Sequence, residues 1–455
     1  MKPTNYRYFG LKELLIINYA LLIFFSSCSV SKQISHSAEK TLLNDSVINT
    51  GHIGISIYDP AANKYLYNYD AAKYFVPASN TKLFTLYAGM KYLGDSLVGL
   101  RYSMLGQNIY YLQPTGDPTL LDPDFINQPV LKFLQTNGNS TFVFNWQRMH
   151  FSPFGKGWAW DDYTAEYMPE RSVMPVYDNV YRFYKYGDTV LSLPSKLIVI
   201  SNTYDIGDVF DFKEHGFKIV RNRCNNDLSV DFDSSFSDFT KTEIPFITST
   251  GQSISLLRDT LKHFQAINDA FAAFLINDTT KTIIHSQPTD SLFRPMMHNS
   301  NNFYAEQTLL MTSNEHLGYM SDEDMIDTLL NTDLKDAPQK PKWVDGSGLS
   351  RYNLFTPQDF VYILNKMKNE FGLKRMEVIL PTGGEGTLKN YFQKDSSFIY
   401  AKTGTLSNTS SLSGYIITKK NKLLIFSILA NNFLGASTPV KKAVEQFLEE
   451  IMEKN

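Results

Sequence analysis

At 455 residues the chain is long for one domain and comfortable for two or three. With 43% hydrophobic and 20% charged residues, 27 Tyr and 32 Phe, it reads as a globular chain with a real core, which excludes disorder over most of its length. A formal net charge of -3 without a long basic run excludes nucleic acid as a partner.

The N-terminus carries Lys2, Arg7 and Lys12, followed by the apolar run "LLIINYALLIFF" from Leu14 to Phe25. That run has the length of a signal-peptide core and is short for a membrane span. It ends in "SSC", small residues before Cys28, the pattern of a bacterial lipoprotein signal in which the cysteine is lipidated. Residues 1–28 are therefore expected to be a lipoprotein-type signal. The protein is then exported, periplasmic and held on a membrane through a lipid anchor on Cys28; the alternative is an ordinary secretory signal with a chance cysteine. The other cysteine, Cys224, is left without a disulfide partner and reads as structural. A polar tether is expected over 29–48.

"HIGISIYD" and "KYLYNYD", joined by "PAAN", predict a β-hairpin. "VPASNTKLFTLYAG", Val76 to Gly89, then places Ser79 three residues before Lys82 at the start of a helical pattern. Leu83, Leu86, Tyr87 and Met90 recur at helical spacing and predict one buried face. Positions i and i+3 share a helix face, so Lys82 can reach Ser79. A serine hydroxyl needs a base to become a nucleophile, and a lysine is such a base only where burial or a nearby positive charge depresses its pKa. The alternative is a polar cap followed by a solvated lysine. The same spacing recurs at Ser29 and Lys32, in the expected tether, where it has no catalytic setting.

Residues 101–284 are rich in aromatics and short β patterns such as "TFVFNW" and "KLIVIS", and read as an inserted β-rich domain or domains. Asp161 and Asp162 lie there, in "GWAWDDYTAEY". Beyond it, "MHNSNNFYAEQTLL" places Ser300, Asn301 and Asn302 before a helical pattern. "DGSGLSRYN" reads as a turn leading to a helix capped at Thr356-Pro357, with Ser347 a weak candidate nucleophile. "PTGGEGTL" lacks the Gly-Lys-Ser/Thr ending of a phosphate loop and reads as structural. "SFIYAK", "SLSGYIIT" and "LLIFSILA" predict three strands, the first running into Lys402, Thr403 and Gly404. A terminal helix follows, capped by Ser437 or Thr438, with a stripe of Val440, Val444, Phe447, Leu448 and Ile451. The eight histidines show no metal spacing, so neither metal nor cofactor is expected. Segments 49–100 and 285–455 would complete one antiparallel sheet covered by helices, an α+β fold with a large insertion.

S-x-x-K, a Ser-Asn-Asn and K-T-G in this order match the trio described for class A β-lactamases and penicillin-binding proteins, whose second member is S-D-N. "PASNTKLFT", "GDPTL", "GWAWDD", "NSNNFYAE", "DGSGLSRYN", "PTGGEGTL" and "AKTGTL" follow one another along the chain. On these motifs the chain, from about residue 51 to 435, resembles the D-alanyl-D-alanine carboxypeptidase/endopeptidase family, the class C low-molecular-mass penicillin-binding proteins. Asn301 stands where that family often has Asp. The resemblance implies a penicillin-recognising serine transpeptidase-like domain split by an insertion between the first two motifs. It implies Ser79 as nucleophile, Lys82 as its base, Ser300 as proton donor to the leaving amine and Asn302 as the holder of Lys82. Lys402 would supply positive potential and keep its proton. Thr403, Gly404 and Thr405 would line the substrate subsite, the two threonines binding a terminal carboxylate. Backbone N–H groups of Ser79 and Thr405 would form the oxyanion hole, and Asp162 would meet a side-chain amine of the substrate. The implied partners are peptidoglycan stem peptides, with β-lactams as covalent inhibitors. A β-lactamase-like hydrolase and a catalytically silent cell-wall binding protein are the competing readings.

Overall fold

The computed structural model describes residues 30–104, 107–146, 149–186, 189–195, 199–200, 217–232, 240–268 and 281–454. The expected signal at 1–28, with Cys28, lies outside the described residues, as does Ser29.

Helix α1 (30–38) opens the described chain and runs into a π-helical turn at Glu39–Leu43. Ile34, Ala38 and Leu42 recur every four residues, are buried, and join the core beneath the C-terminal helix. Ser37 and Lys40 both donate to Glu450 of that helix, at 2.6 and 3.1 Å. The expectation of a tether over 29–48 is therefore corrected. The apolar stripe is narrow and set among polar residues, yet wide enough to dock.

Strands β1 (His52–Asp59) and β2 (Lys64–Tyr69) form the expected antiparallel hairpin. A 3-10 turn at Ala78–Thr81 leads into α2 (Lys82–Tyr92). Every residue from Lys82 to Met90 is buried, so this helix is enclosed on all sides rather than buried on one face.

The insertion follows. β3 (Ser96–Met104), β4 (Ile109–Pro114), β5 (Thr141–Phe144), β12 (Gln265–Asn268) and β13 (Thr282–Pro288) make a five-stranded sheet in the order β12-β5-β4-β3-β13. The chain leaves through β3 and returns through its antiparallel neighbour β13. Between them lie the three-stranded sheets of β6 (Val180–Tyr186), β7 (Thr189–Leu193) and β11 (Thr240–Pro245), and of β8 (Val199–Ile200), β9 (Phe217–Arg221) and β10 (Leu228–Phe232). Helices α3 (Pro129–Thr136) and α4 (Thr250–Thr260) share their core with Leu112, Phe142, Phe144 and Phe183. Cys224, expected to be structural, is exposed in the turn after β9. A small side chain in a polar turn has nothing to pack against there.

Helices α5 (Thr289–His298), α6 (Asn302–Leu317), α7 (Asp322–Asn331), α8 (Pro357–Phe371) and α9 (Leu373–Ile379) precede β14 (Ile399–Leu406), β15 (Thr409–Ile417), β16 (Leu423–Asn431) and α10 (Ser437–Lys454). Thr356 and Asp359 form a reciprocal capping box on α8, with Pro357 in its first turn. The two ends of the chain meet in one sheet of order β14-β15-β16-β1-β2, antiparallel throughout. α1 and α10 cover one face, α10 through its expected stripe. On the other face α2 sits among α5, α6 and α8.

Candidate active site

The turn bearing Ser79 is pinned from the sheet. Asn80 donates to Ser413 Oγ at 2.7 Å, Ser411 Oγ to the Pro77 carbonyl at 2.7 Å, and Asn431 brackets both backbone groups of Val76. Ala78, just before Ser79, has φ +50, a left-handed conformation that a non-glycine residue adopts at a cost of about 1–3 kcal/mol. Gly348 makes the geometry possible, since a Cβ there would lie 2.0 Å from the Ala78 carbonyl oxygen. Gly404 does the same from β14: a Cβ would fall 2.2 Å from Ser411 Oγ and 3.0 Å from the Ser79 nitrogen. The glycine of K-T-G thus lets the edge strand approach the Ser79 backbone. The Ala401 N–H points outward, to the Pro381 carbonyl. Alternation along the strand turns the Thr405 N–H to the same outer edge.

Lys82 is fully buried, and its Nζ lies 3.0 Å from Ser79 Oγ, 2.6 Å from Asn302 Oδ1 and 2.7 Å from the Ser347 carbonyl oxygen. The last two are oxygens that only accept. A neutral amine donates its two N–H bonds to them, which leaves its lone pair for the Ser79 hydroxyl proton. Burial lowers the Lys82 pKa to about 7, against the opposing pull of Asp345 and Glu306. This is the poise a general base needs near neutral pH.

Ser300 also has a left-handed φ of +57, and Asn301 caps α6 by accepting from the Tyr304 N–H. That conformation brings Ser300 Oγ within 2.9 Å of Lys402 Nζ. Lys402 is fully buried, and burial, with the charges of Lys82 and Lys441, pushes its pKa well below the ordinary lysine value. Among the described residues it forms no ion pair. The expectation that Lys402 keeps its proton therefore meets an environment that disfavours it in the free protein; an anionic group arriving in the cleft would restore it.

Ser79, Lys82, Ser300, Asn302 and Lys402 thus converge, with Gly404 beside them. Asp162 stands in the turn Trp160–Asp162 of the insertion and accepts from the Tyr167 hydroxyl at 2.7 Å. The Tyr167 carbonyl accepts from Asn302 Nδ2 at 2.9 Å, so Tyr167 connects Asp162 to the central group. Asp161 is exposed. Thr403 is half-buried beside Lys441 and Val444, and Thr405 is exposed. Among the described residues neither hydroxyl is hydrogen-bonded to the central group. Ser347 is buried, with its hydroxyl accepting from the Leu349 N–H and its carbonyl from Lys82, so it meets Lys82 through its backbone and not its hydroxyl.

Sequence reasoning missed the layer below. Glu306 Oε1 accepts the Ser347 N–H at 2.7 Å, and Asp345 accepts from the Gly348 and Ser350 amides at 2.8 and 2.7 Å. Glu306 was findable as the residue one helical turn after Asn302. Asp345 was findable from the glycines that follow it, since paired glycines signal close backbone approach.

An α+β sheet flanked by helices, with two serines and two buried lysines brought together from distant segments, defines the penicillin-recognising serine-enzyme fold. The chain belongs to the D-Ala-D-Ala carboxypeptidase 3 (S13) family, whose model matches residues 35–187 and 274–454. It is 31% identical over 167 residues to carboxypeptidase DacB of Mycolicibacterium smegmatis, covering 34% of this chain and 36% of that protein. It is 38% identical over 109 residues to a D-alanyl-D-alanine carboxypeptidase of an Actinomadura species, covering 22% and 20%. The matched stretches thus span about a third or less of these relatives' length. Penicillin binding protein 4 of Haemophilus influenzae has the same fold, with TM-score 0.69 and 17% identity over 92% of this chain and 99% of that one. A predatory endopeptidase of Bdellovibrio bacteriovorus matches with TM-score 0.51 and 13% identity, over 89% of this chain and 94% of that one.

Proposed function

We propose that the protein is a serine DD-peptidase, cleaving D-alanyl-D-alanine or D-alanyl cross-links of peptidoglycan stem peptides through an acyl-enzyme on Ser79. The observation that carries this is the Lys82 amine, held 3.0 Å from Ser79 Oγ with its other two contacts made to oxygens that cannot donate. Ser79 Oγ attacks the carbonyl carbon as its proton passes to Lys82. The oxyanion forms against the N–H groups of Ser79 and Thr405, each such donor contributing about 3 kcal/mol to the transition state. The C–N bond then breaks as Ser300, hydrogen-bonded to Lys402, protonates the departing amine; the proton held by Lys82 passes on to Ser300, which leaves Lys82 a neutral amine again. Water attacks the ester, its proton goes to Lys82, and Ser79 recovers its hydrogen. Lys402, with Thr403 and Thr405, receives the substrate carboxylate. A solved structure of the same fold carries penicillin G as an acyl group, in keeping with β-lactams as inhibitors here.

Brief incubation with penicillin is expected to add one penicillin mass to the peptide containing Ser79. The acylation rate should rise with pH through about 7, because the neutral form of Lys82 is the base. Folded protein that takes no label would point to the silent binding reading, and an adduct that turns over many times per second to a β-lactamase.

Asp162 fits an amine on the substrate's diamino acid. Asp162→Asn is expected to raise KM about tenfold, a charged hydrogen bond being worth about 1.5–3 kcal/mol. The effect should appear for stem peptides with a free side-chain amine and vanish when that amine is acetylated. Equal KM values for both peptides would remove Asp162 from the subsite. Cys28, as a lipid anchor, would hold the exported enzyme on a membrane; among the described residues no helix is long and apolar enough to cross one.

A further inference from the structure

The catalytic amine is held by a carbonyl, and that carbonyl is held by residues from the insertion. Lys82 Nζ donates to the Ser347 oxygen, and the Ser347 N–H donates to Glu306 Oε1 at 2.7 Å. Glu306 Oε2 lies 3.3 Å from Nη1 of Arg171, which leaves the inserted segment to reach it. The same Nη1 meets Asp322 of α7 at 2.6 Å, while Nε and Nη2 donate to the Ser152 and Phe154 carbonyls. The Arg171 side chain is 2% exposed and Glu306 1%, so each needs the other: an unpaired charge at that depth is costly. The guanidinium lies over the Trp158 ring, 5.7 Å from its centroid. Trp158 Nε1 in turn donates to Asp345 Oδ2 at 2.9 Å. Asp345 accepts three further N–H groups, from Gly348, Ser350 and Asn353, and so shapes the loop whose Gly348 touches the Ala78 carbonyl.

We infer that the insertion is a working part of the catalytic centre: Arg171 and Trp158 are positioning residues that hold Glu306 and Asp345, and through them the Ser347 carbonyl on Lys82. The inference rests on the DD-peptidase reading above. The charged groups facing Lys82 are Glu306 from α6, Asp345 from the 345–353 loop and Lys402 from β14; those facing Glu306 are Arg171, Asp322 and Asp345. The buried charges form one connected cluster, so a change at Glu306 or Arg171 is read at Lys82. A site that needed its insertion only to recognise substrate would show no such coupling.

The test is the second-order rate of acylation by a fluorescent penicillin between pH 5 and 9. Penicillin is small enough to react without the extended substrate contacts of the insertion. Glu306→Gln keeps the acceptor for the Ser347 N–H but removes a carboxyl that burial and Asp345 push up to about 7 and whose charged form favours protonated Lys82. It is expected to move the acid limb of the profile about one unit to lower pH, the size expected for loss of a nearby opposite charge. Arg171→Met removes the cation that favours the Glu306 carboxylate, so Glu306 keeps its proton to higher pH and the limb is expected to move in the same direction as in Glu306→Gln; Arg171→Lys should return it toward the wild-type position. If Arg171→Met fails to fold, the near-isosteric Glu306→Gln still decides. Folded variants that lose rate uniformly, with the limb unmoved, would overturn the inference, since that is what a packing defect does. Wild-type protein that penicillin does not label would overturn the DD-peptidase reading, and this inference with it. A labelled wild type with unshifted variants overturns this inference alone.

Discussion

Ser79→Ala is expected to abolish covalent labelling by penicillin and to reduce peptide release on the order of 10⁶-fold, the loss seen when a nucleophile that works as a unit with its base is removed. The fold should survive. The substitution removes one oxygen from a turn held by Asn80, Ser411 and Asn431, none of which bonds to the Ser79 hydroxyl. Lys82 keeps two of its three acceptors, Asn302 Oδ1 and the Ser347 carbonyl. Intact-mass measurement after penicillin exposure, beside a thermal melt, checks both halves of the expectation. A labelled, folded Ser79→Ala protein would mean that another side chain is the nucleophile.

Lys82→Ala is expected to be nearly as damaging to rate, by about 10⁴-fold or more, and costlier to stability. Two buried acceptors would lose their donor, at about 1–3 kcal/mol each, and Glu306 and Asp345 would lose a neighbouring amine. The informative measurement is the double variant. If hydroxyl and amine act together, Ser79→Ala with Lys82→Ala should be no slower than Ser79→Ala alone, because the second change removes nothing the first has left working. Near-normal turnover by Lys82→Ala would withdraw the base assignment.

What could be read in the chain was what lies close together in it. Ser79 and Lys82 are one helical turn apart, Ser300 and Asn302 flank a cap, and Lys402 to Thr405 is one strand, so short-range rules reach them. The hairpin of β1 and β2, the three C-terminal strands and the stripe of α10 were legible for the same reason. The partners of Lys82 were not, apart from Ser79 and Asn302. The Ser347 carbonyl is a backbone atom, which no residue pattern marks, and Arg171 earns its place only once the insertion folds back over α6. Burial misled in both directions. Ile34, Ala38 and Leu42 looked too sparse to dock, and α2 looked one-sided although Lys82, Thr85 and Gly89 are as enclosed as its leucines. In each case the deciding fact is what packs on the far side of the element, and that is a tertiary property.

The strand order has a consequence for when the protein can first act. Among the described residues β16 is the last strand in chain order, yet it lies in the middle of the sheet, between β15 and β1. Until it arrives, the hairpin that opens the fold has a bare edge and no second layer, and a two-stranded ribbon is marginal in water. Ser79 and Lys402 come into register only across that same completed sheet. A chain still emerging from the ribosome therefore carries every residue of the proposed site, from Ser79 to Thr405, before any of them is armed. Activity should appear in one step, once β16 has paired, and a truncation before β16 should yield an inert chain rather than a weakened enzyme.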